Sequence, residues 1–210
     1  MPIIPIFLRM AVSYAMFKWI DSEKYAVNII QDNPLDQNDL RAWMRAFGLW
    51  SFVRDVNLEQ LASEFNACIP HLYQAEEQQL LDEVLKQAAH LTDDGIILDP
   101  HAKLMSKFAF CLRPNIGIPF DQLVHRGLGR HFGENIRHHD YSNYVARFNE
   151  FFEECDTALQ GTGLIEDFQE ILHPDFMDEF VFRRRAADKY LWILGKIPIG
   201  DMYPDIDSNT

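Results

Sequence analysis

Tyr141, Tyr144, Val145, Phe148, Phe151, Phe152 and Cys155 recur at spacings of three and four. Only an α-helix gathers such residues onto one face, so this stripe constrains the fold more than any other feature of the chain. The same i, i+3, i+4, i+7 rhythm returns in Leu40, Trp43, Met44 and Phe47, between Asp36 as a cap and Gly48. It returns in Leu58, Leu61, Ala62 and Phe65 behind Asn57, where Gln60 completes a capping-box pattern. The run 71–91 carries Leu80, Leu81, Val84, Leu85 and Ala88. Asp99-Pro100 supplies an N-cap and a first-turn proline for a helix over about 100–112 that buries Leu104, Phe108 and Leu112. Beyond Gly161 and Gly163, Leu164, Ile165, Phe168 and Ile171 mark a shorter helix. His173-Pro174-Asp175 ends it and caps a last one over about 176–194. Sustained alternation is rare, and GIIL at 95–98 is the one segment with strand character. The expected architecture is all-α: a single domain over 1–194, about ten helices around an aromatic-rich core, then an irregular tail at 195–210. A loose boundary falls at 92–100, but the aromatic residues on both sides of it point to one continuous core.

A chain of 210 residues is long enough to bury a core without disulfide or metal support. Its 16 phenylalanines supply large flat side chains for that core. Cys68, Cys111 and Cys155 stand far apart with apolar neighbours, so they read as small core residues and not as a disulfide framework or zinc site. An odd number of thiols argues against an oxidising compartment, and the expected location is cytoplasmic. The most apolar stretch, MPIIPIFLRMAVSYAMFKWI, is interrupted by Arg9 and Lys18. The eight residues between them fall short of the roughly 20 needed to span a bilayer, and the stretch lacks the layout of a secretory signal. It reads as a buried first helix.

The net charge of −13 opposes general binding to nucleic acid. One window departs from that balance. From His101 to Arg147 there are seven basic residues (Lys103, Lys107, Arg113, Arg126, Arg130, Arg137 and Arg147) against Asp121, Glu134 and Asp140, a local net of +4. At its centre LRPNIGIPFDQ, residues 112–122, interrupts the helical pattern. Pro114 and Pro119 break the preceding helix, Gly117 suits a tight turn, and Asp121 is placed to cap the next helix. Arg113 and Arg126 flank the turn and could give an anion bidentate contacts. With His125 and His131 they form the candidate ligand-binding set.

The segment SKFAFCLRPNIGIPFDQLVHRGL resembles one in uncharacterised bacterial helical proteins: Ser-Lys, an apolar helix, Pro, a short turn, Pro-x-Asp and another apolar helix. More distantly it is similar to the hairpin region of the helix-hairpin-helix DNA glycosylase superfamily. That resemblance covers about 25 residues and implies Lys107 as nucleophile, 115–118 as the hairpin and Asp121 as the catalytic aspartate. The chain departs from the family in lacking the second hairpin glycine and in placing Asp121 immediately after the turn.

His131 and His138 are seven apart and share a helix face only if helix continues through Gly133. No i, i+3 or i+4 histidine pair accompanies them, so neither a metal nor a cofactor is expected. Gly127, Gly129 and Gly133 weaken any helix that contains them. Arg183-Arg184-Arg185 has Glu179 and Asp188 at helical pairing distance and reads as a solvated charged face. P-loop, GxGxxG, GxSxG, HExxH and EF-hand patterns do not occur.

Three functions follow from these readings. The leading one is a helical binding protein that takes a small anion or a partner segment in a cleft near 107–138. A nucleic-acid-processing enzyme using Lys107 and Asp121 is the second. The third is an interaction or structural homo-oligomer that buries aromatic helices such as 141–155 between subunits.

Overall fold

The computed structural model describes residues 1–32, 34–49, 56–97, 102–136, 140–172 and 177–198. Ten α-helices and one π-helical segment lie among them, with no strand: α1 Pro5–Lys18, the π-helical Trp19–Glu23, α2 Lys24–Gln31, α3 Gln37–Ala46, α4 Leu58–Gln74, α5 Glu77–Asp93, α6 Ala102–Leu112, α7 Gln122–Phe132, α8 Tyr141–Gln160, α9 Leu164–Leu172 and α10 Glu179–Lys196. The fold is all-α. Two compact units divide the chain, 1–15 with 121–210 and 16–120. The divisions fall after Ala15 and after Phe120. No helix among the described residues is long and apolar enough to cross a membrane.

In the 16–120 unit, α6 contacts α2, α4 and α5. Trp43 from α3 meets Phe65 and Phe108 edge-on at 5.8 Å each, and Phe65 lies 4.3 Å from Phe108. The Trp43 indole N–H donates to Cys111 Sγ at 3.3 Å, so even the polar atom of the core tryptophan is satisfied. All three cysteines are free and buried. Burial pushes the Cys68 and Cys155 thiols up to about 12, so neither is a nucleophile near neutral pH.

The helix starts follow local capping chemistry. Asp36 accepts hydrogen bonds from the Asn38 and Asp39 amides, and Asp39 answers with its own carboxylate on the Asp36 amide. Asn57 caps α4, and α4 then runs on through Pro70 to Gln74, so the 71–91 run is two helices. Ile96 and Ile97, where strand character was expected, donate back to the Leu91 carbonyl and form a turn. Asp99 and Pro100 lie outside the described residues, as does His173-Pro174-Asp175. The described N-cap of α10 is Asp178, whose carboxylate accepts from the Phe180 and Val181 amides.

In the other unit, α7 and α10 form the closest helix pair. A Cβ on Gly127 would collide with the Leu191 carbonyl oxygen, and one on Gly195 with that of Leu123. The glycines that weaken helix by propensity are what lets these two backbones touch. Gly195, expected to open the irregular tail, lies inside α10 for the same reason, and residues from 199 onward fall outside the described ones. Gly133 adopts a positive φ of 69° and ends α7 after Phe132; position 138 lies outside the described residues. The stripe Tyr141, Tyr144, Phe148, Phe151 and Cys155 is buried within the chain itself. It is therefore not the surface that a subunit contact could use.

Candidate functional site

The basic residues of the 101–147 window have specific places. Lys107 is buried on α6, and its ammonium donates to the Phe47 carbonyl at 3.3 Å and lies 5.6 Å from the Phe47 ring centre. Phe47 is the C-cap of α3. Arg113 reaches the last turn of α4, donating to the carbonyls of Leu72 and Tyr73 at 3.2 Å and to that of Ala75. Arg130 donates to the carbonyls of Leu194 and Ile197 at the end of α10. Each of the three cations caps the C-terminal end of a different helix, where unpaired carbonyls and the helix dipole favour positive charge. Arg147 lies 2.7 Å from both Glu134 and Glu150. Much of the local +4 is thus the sum of structural pairings.

The turn that interrupts the pattern folds back onto its own helix. The Ile116 and Gly117 amides both donate to the Arg113 carbonyl, at 3.1 and 2.8 Å, and the Phe120 amide donates to the buried Ser106 hydroxyl at 2.9 Å. A Cβ on Gly117 would stand 2.6 Å from the Phe110 Cα, so glycine is required by close approach and not by backbone angle. Asp121 is the N-cap of α7 and accepts from the Leu123 amide at 2.9 Å. Lys107 and Asp121 belong to different units. His125 is half-buried and stacks at 6.4 Å on Tyr144, while Arg126 is exposed. Arg137, His138 and His139 lie outside the described residues.

His131 is buried between Phe132 and Phe151, each 4.8 Å away, and its Nε2 sits 2.9 Å from Glu154. Desolvation lowers its pKa from the ordinary 6.5, with Glu154 opposing the shift. The unfolded chain therefore binds a proton on His131 more readily than the folded one does, and folding stability falls as pH drops below about 6.5. Urea denaturation at pH 7.5 and 5.5 is expected to show this loss in the native chain and a smaller one in His131→Gln. Equal losses in the two proteins would remove His131 as the cause.

The Arg183–Arg185 stretch differs from its expected role as a solvated face. Arg183 does pair with Glu179, and with Asp156 at 3.1 Å. Arg184, Arg185, Asp188 and Lys189, by contrast, are all buried. Asp188 lies 3.1 Å from Arg185 and 3.2 Å from Lys189. The Arg184 guanidinium sits over the rings of Phe152 and Phe180, and Lys189 over that of Tyr14. Tyr144 is fully buried alongside, its phenol held well above 10 first by desolvation and then by the Asp188 charge. Helical spacing identified the charges but could not show that α10 is enclosed on nearly every side, including Ala186-Ala187, Tyr190-Leu191 and Ile193-Leu194.

Two surface clefts lie in the 16–120 unit. One of about 420 Å³ opens between the starts of α3 and α4, beside Asp36, Asn38, Glu59, Ser63 and Asn66. The other, about 290 Å³, runs between α4 and α5 beside Glu64, Cys68, His71, Lys86 and His90. None of the candidate residues from the sequence lines either cleft. Among the described residues no group of three or more His, Cys, Asp or Glu side chains could hold a metal ion. No protein-family model matches the chain, and no curated protein or solved structure does.

The surface of α1 carries the feature that the sequence reading missed. One face is buried through Leu8, Ala11, Val12, Ala15 and Met16, as expected. The opposite face is apolar too: Ile6, Met10 and Phe17 are 58%, 49% and 58% exposed, followed by Ile20 at 54% and Tyr25 at 60%. Among the described residues only Tyr73 and Phe180 are comparably exposed large hydrophobics. A helix apolar on both faces has no amphipathic signature, so periodicity alone assigned all of it to the core.

Proposed function

We propose that this chain is a helical protein-interaction module that acts by docking a partner helix on the outward face of α1. The observation that carries this reading is the exposure of Ile6, Met10 and Phe17 on α1, with Ile20 exposed just beyond its end. Contiguous exposed apolar surface is costly in water and marks contact surfaces. Of the two ligands expected near 107–138, the anion loses support because Lys107, Arg113 and Arg130 are engaged at helix ends. The partner is put on α1 instead of near 107–138. A cytoplasmic setting belongs to the same reading and is supported by the three free thiols.

Met10 provides the test, because an exposed thioether is oxidised by peroxide and a covered one is protected. In dilute isolated chain Met10 is expected to oxidise readily, while the buried Met44 and Met105 resist. Within cells that produce the chain, Met10 oxidation is expected to be several-fold slower. Equal rates in the two settings would end the interaction reading.

A further inference from the structure

We propose that the cleft between α4 and α5 is a binding site for a cationic group, an alkylammonium or a guanidinium; this goes beyond the α1 reading and stands independently of it. Both helices belong to the 16–120 unit. Residues 58–94 carry eight acidic side chains against Lys86 alone, a net of −7 within a chain of −13. More than half of the net negative charge therefore sits on this one hairpin, and its field draws cations toward the cleft.

The side chains of the cleft fix where such a group would sit. Its floor is formed by the buried Cys68 and Gln87. The Cys68 thiol donates to Gln87 Oε1 at 3.0 Å, and Gln87 Nε2 donates to Glu83 Oε1 at 2.6 Å. The floor is thus tied from α4 to α5, with the Glu83 carboxylate held behind it. Glu64 lines the cleft from α4. Burial first, and then the charges of Glu64 and Glu83, keep the Cys68 thiol protonated, so the floor has a carboxylate on each helix beside it. Neither carboxylate is tightly neutralised. The exposed Lys86 stands 3.5 Å from Glu83. Among the described residues Glu64 has no lysine or arginine partner; its ion pair is with His90 at 3.6 Å, and the other ring nitrogen lies 3.6 Å from Asp94. A half-buried carboxylate that faces a cleft without a strong cation gains charge-assisted hydrogen bonds when an ammonium or guanidinium enters. The volume of about 290 Å³ is at the low end for ligand sites, which suits one side-chain-sized cation and not a cofactor.

Proton NMR on the full chain tests the site, with spermidine and an arginine-bearing tripeptide amide as probes. His71 and His90 both line the cleft, so their ring resonances are the reporters. Both are expected to shift saturably with at least one probe. A response to the peptide alone assigns the group to a protein segment, and a response to spermidine alone assigns it to a free polyamine. Glu64→Gln should weaken binding by about tenfold. Ala67→Phe, at an exposed position in the lining, fills the cleft without altering its charge and should abolish saturation. Glu77→Gln removes the same charge from an exposed position of α5 outside the lining and should change the affinity by less than about twofold. Shifts that never saturate with either probe, or binding that survives Ala67→Phe, overturn the proposal. Equal losses from Glu64→Gln and Glu77→Gln overturn it as well, because the attraction would then be the diffuse field of an acidic chain.

Discussion

Gly195→Ala is expected to destabilise the chain by about 3 kcal/mol, and Gly127→Ala by a similar amount. Both positions lie inside helices, where replacing glycine by alanine would ordinarily stabilise by up to about 1 kcal/mol. The sign reverses because the new methyl group meets backbone. At Gly195 it collides with the Leu123 carbonyl oxygen, and at Gly127 with that of Leu191. No rotamer change relieves such a contact; α7 and α10 must separate along the region where they touch, and the buried side chains between them lose packing. Gly161 provides the control. It ends α8 with nothing within 4 Å of a built Cβ and a φ of −87°, so Gly161→Ala should be neutral or slightly stabilising. Urea titrations with unchanged slopes would measure all three. A Gly127→Ala protein as stable as the native chain would mean that the α7–α10 approach is not as close as described.

These glycines also show where reading the sequence succeeds and where it stops. Features decided within one helical turn were legible: the caps at Asp36, Asn57 and Asp121, and the α8 stripe from Tyr141 to Cys155. Propensity counts Gly127 as a weakness because its compensation comes from Leu191, 64 residues away in sequence. The cationic window is a similar case. Lys107, Arg113 and Arg130 are neighbours in sequence, yet their carbonyl partners belong to α3, α4 and α10, and no local count of charge reveals those distances. On α1 the difficulty is reversed. Apolar residues on every face look like a core helix whether the outer face is covered or not. Only the exposure of Phe17 and Ile20 separates the two cases.

Removing the Asp188 carboxylate is expected to cost about 3–5 kcal/mol, the range for breaking a buried ion pair from one side. Arg185 and Lys189 both approach the same Asp188 oxygen, at 3.1 and 3.2 Å, and all three side chains are buried. In Asp188→Ala two cations lose the carboxylate they share in a setting where water cannot replace it. Asp188→Asn retains the shape but not the charge and should lose nearly as much. The contrast with Arg183 is quantitative: its partner Glu179 is substantially exposed, so Glu179→Ala should cost no more than about 1 kcal/mol. A second variant separates charge from packing. Replacing the trio together, with Asp188→Leu, Arg185→Met and Lys189→Met, keeps volume while removing every ion, and should recover most of the loss. If Asp188→Ala instead costs under about 1 kcal/mol, the cluster is as well solvated as an ordinary surface pair and α10 is not enclosed. If the apolar trio is no better than Asp188→Ala, the charges have been retained because the surrounding structure depends on their individual hydrogen bonds.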